Sequence, residues 1–306
     1  MIRPALLLLA ITTTASADGV AFITSQEADS IAVIDLGSGT VACEANLAGK
    51  PAAVAVDRST GLAYAVAAES GVLFAVTPGC GVHEVLTLEG GPFGVAVNPV
   101  RDVVYVGDWY GARIFEIDPV AGKVLRSFAV GNAPGGIAVT PDGAMIVTAD
   151  RDDNRITLLD AATGQSLGTV PVGAHPFGVT IFEGRAFTAN VESDSVSVVD
   201  LASATVIATV PVGKRPYAVA FAAGKGFVTD QYADTVSVFD ATSFASLATI
   251  DVGFYPEGIA TAPDGRVLAA NWSSNTVTVI DSRTLAVITE IEVPDGPRAF
   301  GDFILP

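Results

Sequence analysis

Residues 213–221, Gly-Lys-Arg-Pro-Tyr-Ala-Val-Ala-Phe, are one copy of a segment that recurs along the whole chain. Each copy has a glycine, a short spacer and a proline, followed by small and β-branched residues. Successive prolines are separated by 40 to 42 residues, at Pro51, Pro92, Pro134, Pro176, Pro216, Pro256 and Pro297. So regular a period predicts a repeat architecture.

The residues between two successive prolines predict four short strands. The first follows the proline directly, as residues 218–221 do, and ends at a turn such as Pro141-Asp142-Gly143. The second strand ends in a polar residue: Ser25, Asp108, Asp150, Asn190, Asp230 or Asn271. The third strand is rich in β-branched residues and ends at Asp35, Asp118, Asp160, Asp200, Asp240 or Asp281. A fourth strand returns to the next glycine. Because these polar residues recur in six of the seven blades, we expect them to hold turns rather than to catalyse.

Four strands per repeat without helical periodicity are typical of a propeller blade. Residues 19–49 supply three strands of a blade and lack the strand that begins at the proline. Residues 297–304 supply such a strand alone, so we expect them to complete the first blade and close the ring. The sequence therefore predicts an all-β protein, a seven-bladed β-propeller with four-stranded antiparallel blades, as a single domain over residues 18–306.

The first seventeen residues have the features of a secretory signal peptide. Arg3 is followed by an apolar stretch at 5–10, and Ala15-Ser16-Ala17 fits the small-x-small cleavage rule. We expect residues 1–17 to be removed and the mature chain to be a periplasmic monomer. It would carry 33 acidic and 15 basic residues, a formal net charge of −18. Such a charge disfavours binding to nucleic acid and to anionic membranes.

In an oxidising compartment Cys43 and Cys80 favour a disulfide, the alternative being two separate small buried residues.

Several segments resemble the YVTN-repeat β-propellers, a WD40/YVTN-like family. They are residues 22–25, 105–108, 187–190 and 227–230, with Val-Ser-Val-Val-Asp at 196–200 and Val-Ser-Val-Phe-Asp at 236–240. The resemblance covers essentially all of the mature chain and implies an exported propeller. Members of the family include proteins associated with quinone-dependent alcohol oxidation, and more distant propellers are lactonases or bind haem.

A functional site is expected where the repeat varies on one face of the ring. The loops before each repeat proline and those between second and third strands open on this face, which we call the top face. The candidate residues on it are Trp109, Tyr110, Arg151, His175, Phe177, Arg215, Tyr217, Tyr232, Tyr255, Glu257, Trp272 and Arg298. Basic residues of the inner loops (Lys50, Lys214, Arg215, Arg298) inside an acidic collar (Glu27, Glu69, Asp152, Asp153, Glu192, Asp194) would attract a small anion. The aromatic residues suit either a binding surface or a plug for the channel.

No catalytic motif accompanies these residues. The chain has no H-E-x-x-H or C-x-x-C-H segment, and its one G-x-S-x-G match, residues 164–168, is no nucleophile elbow because no helix is expected after it. His175 has no metal-ligand spacing to other residues. We therefore expect a non-enzymatic binding protein for a partner protein or a small anionic ligand, without a cofactor or metal, accessory to a periplasmic oxidation pathway. The alternatives are a lactonase or lyase using His175, Glu257 and Asn190, and a haem- or quinone-binding propeller.

Overall fold

The computed structural model describes residues 19–306, which form 28 β-strands in seven four-stranded antiparallel sheets. The predicted seven-bladed β-propeller is confirmed. The predicted signal peptide, residues 1–17, lies outside the described residues. No helix within 19–306 is long and apolar enough to cross a membrane.

The strands occupy four concentric positions, from the channel outwards. The inner strands are β4 (Pro51–Asp57), β8 (Pro92–Val97), β12 (Pro134–Val139), β16 (Pro176–Phe182), β20 (Pro216–Ala222), β24 (Pro256–Thr261) and β28 (Ile304–Leu305). The second strands are β1 (Val20–Ser25), β5 (Leu62–Ala67), β9 (Val104–Asp108), β13 (Met145–Asp150), β17 (Arg185–Asn190), β21 (Lys225–Asp230) and β25 (Arg266–Asn271). The third strands are β2 (Ser30–Asp35), β6 (Val72–Val76), β10 (Arg113–Asp118), β14 (Arg155–Asp160), β18 (Ser195–Asp200), β22 (Thr235–Asp240) and β26 (Thr276–Asp281). The outer strands are β3 (Thr40–Asn46), β7 (Val82–Thr87), β11 (Lys123–Ala129), β15 (Ser166–Pro171), β19 (Thr205–Pro211), β23 (Ser246–Asp251) and β27 (Val287–Glu292).

Blade 1 is the sheet β28-β1-β2-β3, and blades 2 to 7 follow as β4–β7 to β24–β27. The C-terminal segment closes the ring as expected, but its regular strand is shorter than the predicted 297–304. Only Ile304 and Leu305 form a ladder with β1, and Pro297 makes a single bridge to Ser25. Arg298 and Phe303 still bond to the backbone of β1, but the residues between them pair with β4 of blade 2, where Val54 N–H donates to the Phe300 carbonyl at 2.9 Å. The segment therefore joins blade 1 to blade 2 as well as completing blade 1.

The glycine of each repeat has a steric role. In blades 4 to 7 a Cβ on this glycine would collide with the polar side chain that ends the second strand, as Gly213 would with Asp230 and Gly173 with Asn190. The loop before the proline thus packs directly on the end of the second strand. This close approach explains why the repeat begins with glycine.

The aspartates that end the third strands hold turns, as predicted. Each accepts backbone N–H groups of the following turn, for example Ser203 N to Asp200 Oδ1 at 2.8 Å and Ser243 N to Asp240 Oδ1 at 2.7 Å. The full set is Asp35, Asp118, Asp160, Asp200, Asp240 and Asp281. These side chains therefore have a structural function.

Most of the polar residues that end the second strands differ from this expectation. Four of them, Asp150, Asn190, Asp230 and Asn271, are buried and bind hydroxyl groups of the third strand, as Asn190 Nδ2 does with Ser197 Oγ at 3.0 Å. Asp108 accepts the N–H of Gly111 in the following turn, as predicted. Asp230 accepts from Ser237 Oγ at 2.7 Å and has no basic partner within ion-pair distance among residues 19–306. Because burial disfavours an uncompensated charge, it raises the pKa of Asp230 to about 6.

The outer edges of the blades are irregular. The pairing of each third strand with its outer strand has a register shift, as between Val198 and Val199 in blade 5. A bulged edge is a poor template for pairing with another chain. At this outer edge a disulfide joins Cys43 of blade 1 to Cys80 of blade 2, with the Cα atoms 6.1 Å apart.

Candidate functional site

Backbone hydrogen bonds tie the two loop sets of the top face together. Trp109 N donates to the Gly91 carbonyl at 2.8 Å, and Trp272 N donates to the Tyr255 carbonyl at 2.9 Å. Arg151, His175 and Arg215 take part in the same pattern. The loop between the second and third strands of a blade thus lies over the loop that enters that blade, so the twelve candidate residues share one face of the ring.

Consecutive blades are joined on this face by a contact that the sequence reasoning missed. An Asp or Asn at the end of one blade's loop accepts the N–H of the residue before the next blade's proline. Asn154 Oδ1 binds His175 N at 2.8 Å, and Asp194 Oδ1 binds Arg215 N at 2.9 Å. The same contact links Asp29 to Lys50, Asp234 to Tyr255 and Asn275 to Gly296. These acceptors have positive φ, 47° to 59°, which Asp and Asn tolerate better than most residues. Each acceptor precedes its N–H donor by 21 residues, and this constant spacing could have predicted the contact from the sequence.

Aromatic rings close the centre of the top face. Phe177 lies 4.4 Å from Tyr217, 5.0 Å from Phe300 and 5.5 Å from Phe93, measured between ring centroids. Trp109 packs on the edge of this group, 5.6 Å from Phe93. Phe177, Tyr217 and Phe300 are at most 7% exposed. Two candidate residues, Phe177 and Tyr217, therefore belong to a channel plug that also contains Phe300, which the sequence reasoning assigned only to the closing strand.

A buried ion pair lies beside the plug. Arg298 Nε is 2.6 Å from Glu257 Oε2, and Gln231 Nε2 donates to Glu257 Oε1 at 2.6 Å. The Arg298 guanidinium also donates to Gln26 Oε1 at 3.0 Å and to the Tyr217 hydroxyl. The Glu257 side chain is 4% exposed, and this burial raises its pKa, whereas the positive charge of Arg298 opposes the shift. Arg298 and Glu257 are thus held as a structural pair.

The basic residues expected to form a cationic ring are mostly neutralised by acidic neighbours. Arg298 pairs with Glu257, and Arg215 Nη2 lies 3.2 Å from Glu192 Oε1. Lys50 pairs with Glu27 at 3.6 Å, so the collar acids reach inwards to the bases. The arrangement therefore lacks the separated charge zones that would draw a small anion into the centre.

The residues named for an enzyme alternative are held by different structural partners. His175 Nδ1 is 3.8 Å from Glu192 Oε1 at the rim of the face. Asn190 is fully buried inside blade 5 and bonds to serine hydroxyls of β18. Glu257 pairs with Arg298. Within the described part of the chain, no group of three or more His, Cys, Asp or Glu residues could hold a metal ion.

Blades 6 and 7 carry a cluster of four aromatic residues and one arginine, which we call the aromatic patch: Arg215, Tyr232, Phe254, Tyr255 and Trp272. Three of the aromatic residues are exposed. Tyr232 is 52%, Phe254 62% and Tyr255 39% exposed. The rings of Tyr232 and Tyr255 are 5.3 Å apart, and Tyr255 lies 6.5 Å from Trp272. Arg215 stacks over Tyr232 at 4.6 Å. Phe254 was missed by the sequence reasoning, although it occupies the variable position two before the repeat proline.

The remaining two candidates lie apart from this patch, on blades 3 and 4. Tyr110 is 83% exposed, and Arg151 lies 5.8 Å over the ring of Trp109 while pairing with Asp152. The top face therefore has a closed centre, one cluster of exposed aromatic residues on blades 6 and 7, and a single projecting tyrosine on blade 3.

Comparison with known proteins identifies the fold. No family model matches the chain, and no curated protein sequence does. The structure of streptogramin B lyase matches with a TM-score of 0.70 and 17% identity, over 84% of this chain and 91% of that one. Hydrazine synthase from Kuenenia stuttgartiensis matches with a TM-score of 0.75 and 18% identity, over 92% and 99%. A functionally unknown protein from Desulfotomaculum acetoxidans matches with a TM-score of 0.77 and 13% identity, over 91% and 98%. Likenesses at these identities establish the β-propeller fold alone.

Proposed function

We propose that this protein is an exported, non-enzymatic β-propeller that binds a partner protein through the aromatic patch of its top face. The observation that carries the proposal is the exposure of Tyr232, Phe254 and Tyr255 side by side on blades 6 and 7. Clustered Tyr, Trp and Arg side chains supply most of the binding energy at protein interfaces. The predicted signal peptide at residues 1–17 is the reason for including export.

The pairing of charges favours a protein over a small anion as the partner. Arg298 forms an ion pair with Glu257. Arg215 forms an ion pair with Glu192 and stacks over the ring of Tyr232. A small anion that bound either arginine would have to displace one of these carboxylates. A protein surface needs no such exchange, because it gains by burying the aromatic rings.

Site-specific photocrosslinking tests this proposal, because it captures a partner protein whose identity is not yet established. A photoreactive phenylalanine analogue is introduced at Phe254 in the full chain and expressed in the native cells. The control carries the same analogue at Val120, which is 95% exposed in a turn on the opposite face. We expect a discrete crosslinked protein from position 254 and none from position 120.

The identified partner then permits a direct measurement of affinity. Tyr232→Ala with Tyr255→Ala is expected to weaken binding at least about tenfold, the loss typical of interface aromatic residues. Leu167→Ala with Leu247→Ala removes exposed aliphatic side chains of blades 4 and 6 from the outer strands and should leave affinity unchanged. Equal crosslinking at both positions, or unchanged affinity of the tyrosine variant, would show that the patch does not bind the partner.

A further inference from the structure

The central channel is open on the bottom face, opposite the top face, and closed at its other end. It encloses a cavity of about 600 Å³, within the size range of small-molecule sites. Phe300 of the plug forms part of its closed end, and the turns that follow the inner strands, such as 57–59, form its mouth. The cavity is therefore a pocket with one entrance.

The channel narrows towards the top because of the residue sizes along the inner strands. The second residue after each repeat proline is glycine or alanine, and a Cβ on Gly94 or Gly178 would collide with a main-chain carbonyl of the next inner strand. The inner strands therefore approach one another closely at this level. Near the mouth, the fifth residue after each proline lines the cavity: Val56, Val97, Val139, Ile181, Phe221, Thr261 and Asp302. Five of these seven side chains are apolar, so the wide part of the pocket offers mainly apolar surface.

The charged groups at the mouth are already paired with one another or with neighbouring hydroxyls. Arg58 Nη1 lies 2.6 Å from Asp302 Oδ2. Asp57 accepts from the hydroxyl of Ser59 at 2.7 Å and from that of Thr60 at 2.8 Å. A charged ligand would lose its hydration on entry without gaining a free partner there. The mouth thus favours an uncharged ligand.

We infer that the bottom-opening pocket binds a neutral, apolar small molecule. The apolar body of the ligand would contact Val97, Val139 and Phe221, and the pocket would end at Phe300. The site lies on the opposite side of the plug from the aromatic patch. The inference is therefore independent of the proposed partner binding.

Two fluorescent probes with a common skeleton test the inference. N-phenyl-1-naphthylamine is neutral, and 1-anilinonaphthalene-8-sulfonate is the same skeleton with a sulfonate. Each is titrated into the full chain, with fluorescence giving the affinity and calorimetry the stoichiometry. We expect saturable one-to-one binding of the neutral probe, at least tenfold tighter than that of the anionic probe.

Substitutions with residues that other blades carry at the same position test whether the probe binds in the pocket. Val97→Phe with Val139→Phe narrows the pocket using the residue that blade 6 carries at the same position, Phe221. This change should weaken the neutral probe at least tenfold. Val97→Thr with Val139→Thr uses the residue of blade 7, Thr261, and should weaken it severalfold even if the phenylalanine variant fails to fold. Val120→Phe adds the same ring outside the channel and should have no effect.

A variant of the aromatic patch separates this site from the proposed one. Tyr232→Ser with Tyr255→Ser should leave the neutral probe bound as in the unmodified protein. The inference is overturned if the neutral probe shows no saturable binding, if both pocket variants bind it normally, or if the tyrosine variant abolishes binding. Equal affinity for the two probes would overturn the neutral character of the site.

Discussion

Asp230→Asn is expected to stabilise the protein at neutral pH, because the wild-type carboxylate is buried without a basic partner. Asp108 and Asp150 end the same strand in blades 3 and 4 and are compensated by Arg113 and Arg155. Asp230 has only hydroxyl and backbone donors. Blades 5 and 7 carry asparagine at this position, so the fold accommodates the amide.

The size of the effect follows from the pKa of Asp230, which burial raises from 3.8 to about 6. Below about pH 4 the carboxyl is mostly protonated in both the folded and the unfolded state, so it does not lower the free energy of unfolding. Between about pH 4 and pH 6 the unfolded chain loses this proton while the folded protein still holds it, and above pH 6 the folded carboxyl is ionised as well and the full penalty is reached. Stability therefore falls with rising pH, and at pH 7 the penalty is roughly 3 kcal/mol, from 1.36 kcal/mol per pKa unit. Asparagine has no proton to lose and escapes this penalty.

Equilibrium urea unfolding from about pH 4 to pH 7.5 measures the difference between Asp230→Asn and wild type at each pH. We expect a difference near zero at the acidic end that grows to a few kcal/mol above pH 6. The reverse change, Asn190→Asp in blade 5, should destabilise the protein at pH 7 and less so at pH 4. A difference that does not vary with pH, or an asparagine variant less stable at pH 7, would refute a buried uncompensated charge at Asp230.

Three further changes test how the ring is held together. Cys43→Ser with Cys80→Ser opens a loop of 37 residues and should lower the free energy of unfolding by about 4 kcal/mol on the chain-entropy relation, measured by urea titration against oxidised wild type. Gly213→Ala should cost about 1–3 kcal/mol through collision with the end of the second strand, whereas Gly79→Ala, which has nothing within 4 Å, should change stability by less than about 0.5 kcal/mol. Truncation after Asp295 removes the bonds to blades 1 and 2 and should abolish the cooperative thermal transition; an unchanged transition would contradict closure by this segment.

The fold could be predicted from the sequence because its signals are local. Six inner strands begin at the repeat prolines, and the polar ends of the second and third strands mark further strand boundaries. The path of the closing segment could not be predicted in the same way. Phe300 leaves the edge of β1 to enter the channel plug, and its carbonyl bonds to Val54 in another blade. That path depends on how side chains fill the channel, which is a tertiary property.

The candidate site was predictable as a face but not in its detail. The order of loops in the repeat placed Tyr217 and Tyr232 on the same face of the ring, and both are tyrosines of blade 6. One is 5% exposed within the plug, and the other is 52% exposed in the aromatic patch. Their sequence contexts do not distinguish them, because the difference comes from neighbours in other blades, such as Phe177 and Tyr255. The ion pairs of the top face also depend on neighbours in other blades, so the sequence did not predict them.

The residues that hold the ring together also decide what is left for recognition. Asp and Asn side chains such as Asp194 are used to join consecutive blades, and acids such as Glu257 and Glu192 neutralise the bases nearest the centre. A chain of net charge −17 therefore offers little free charge of either sign at the middle of its top face. The uncommitted surface is aromatic at the rim and aliphatic in the channel below the plug. The binding proposed on either side of the plug would then depend mainly on the burial of apolar surface, with shape rather than charge selecting the partner.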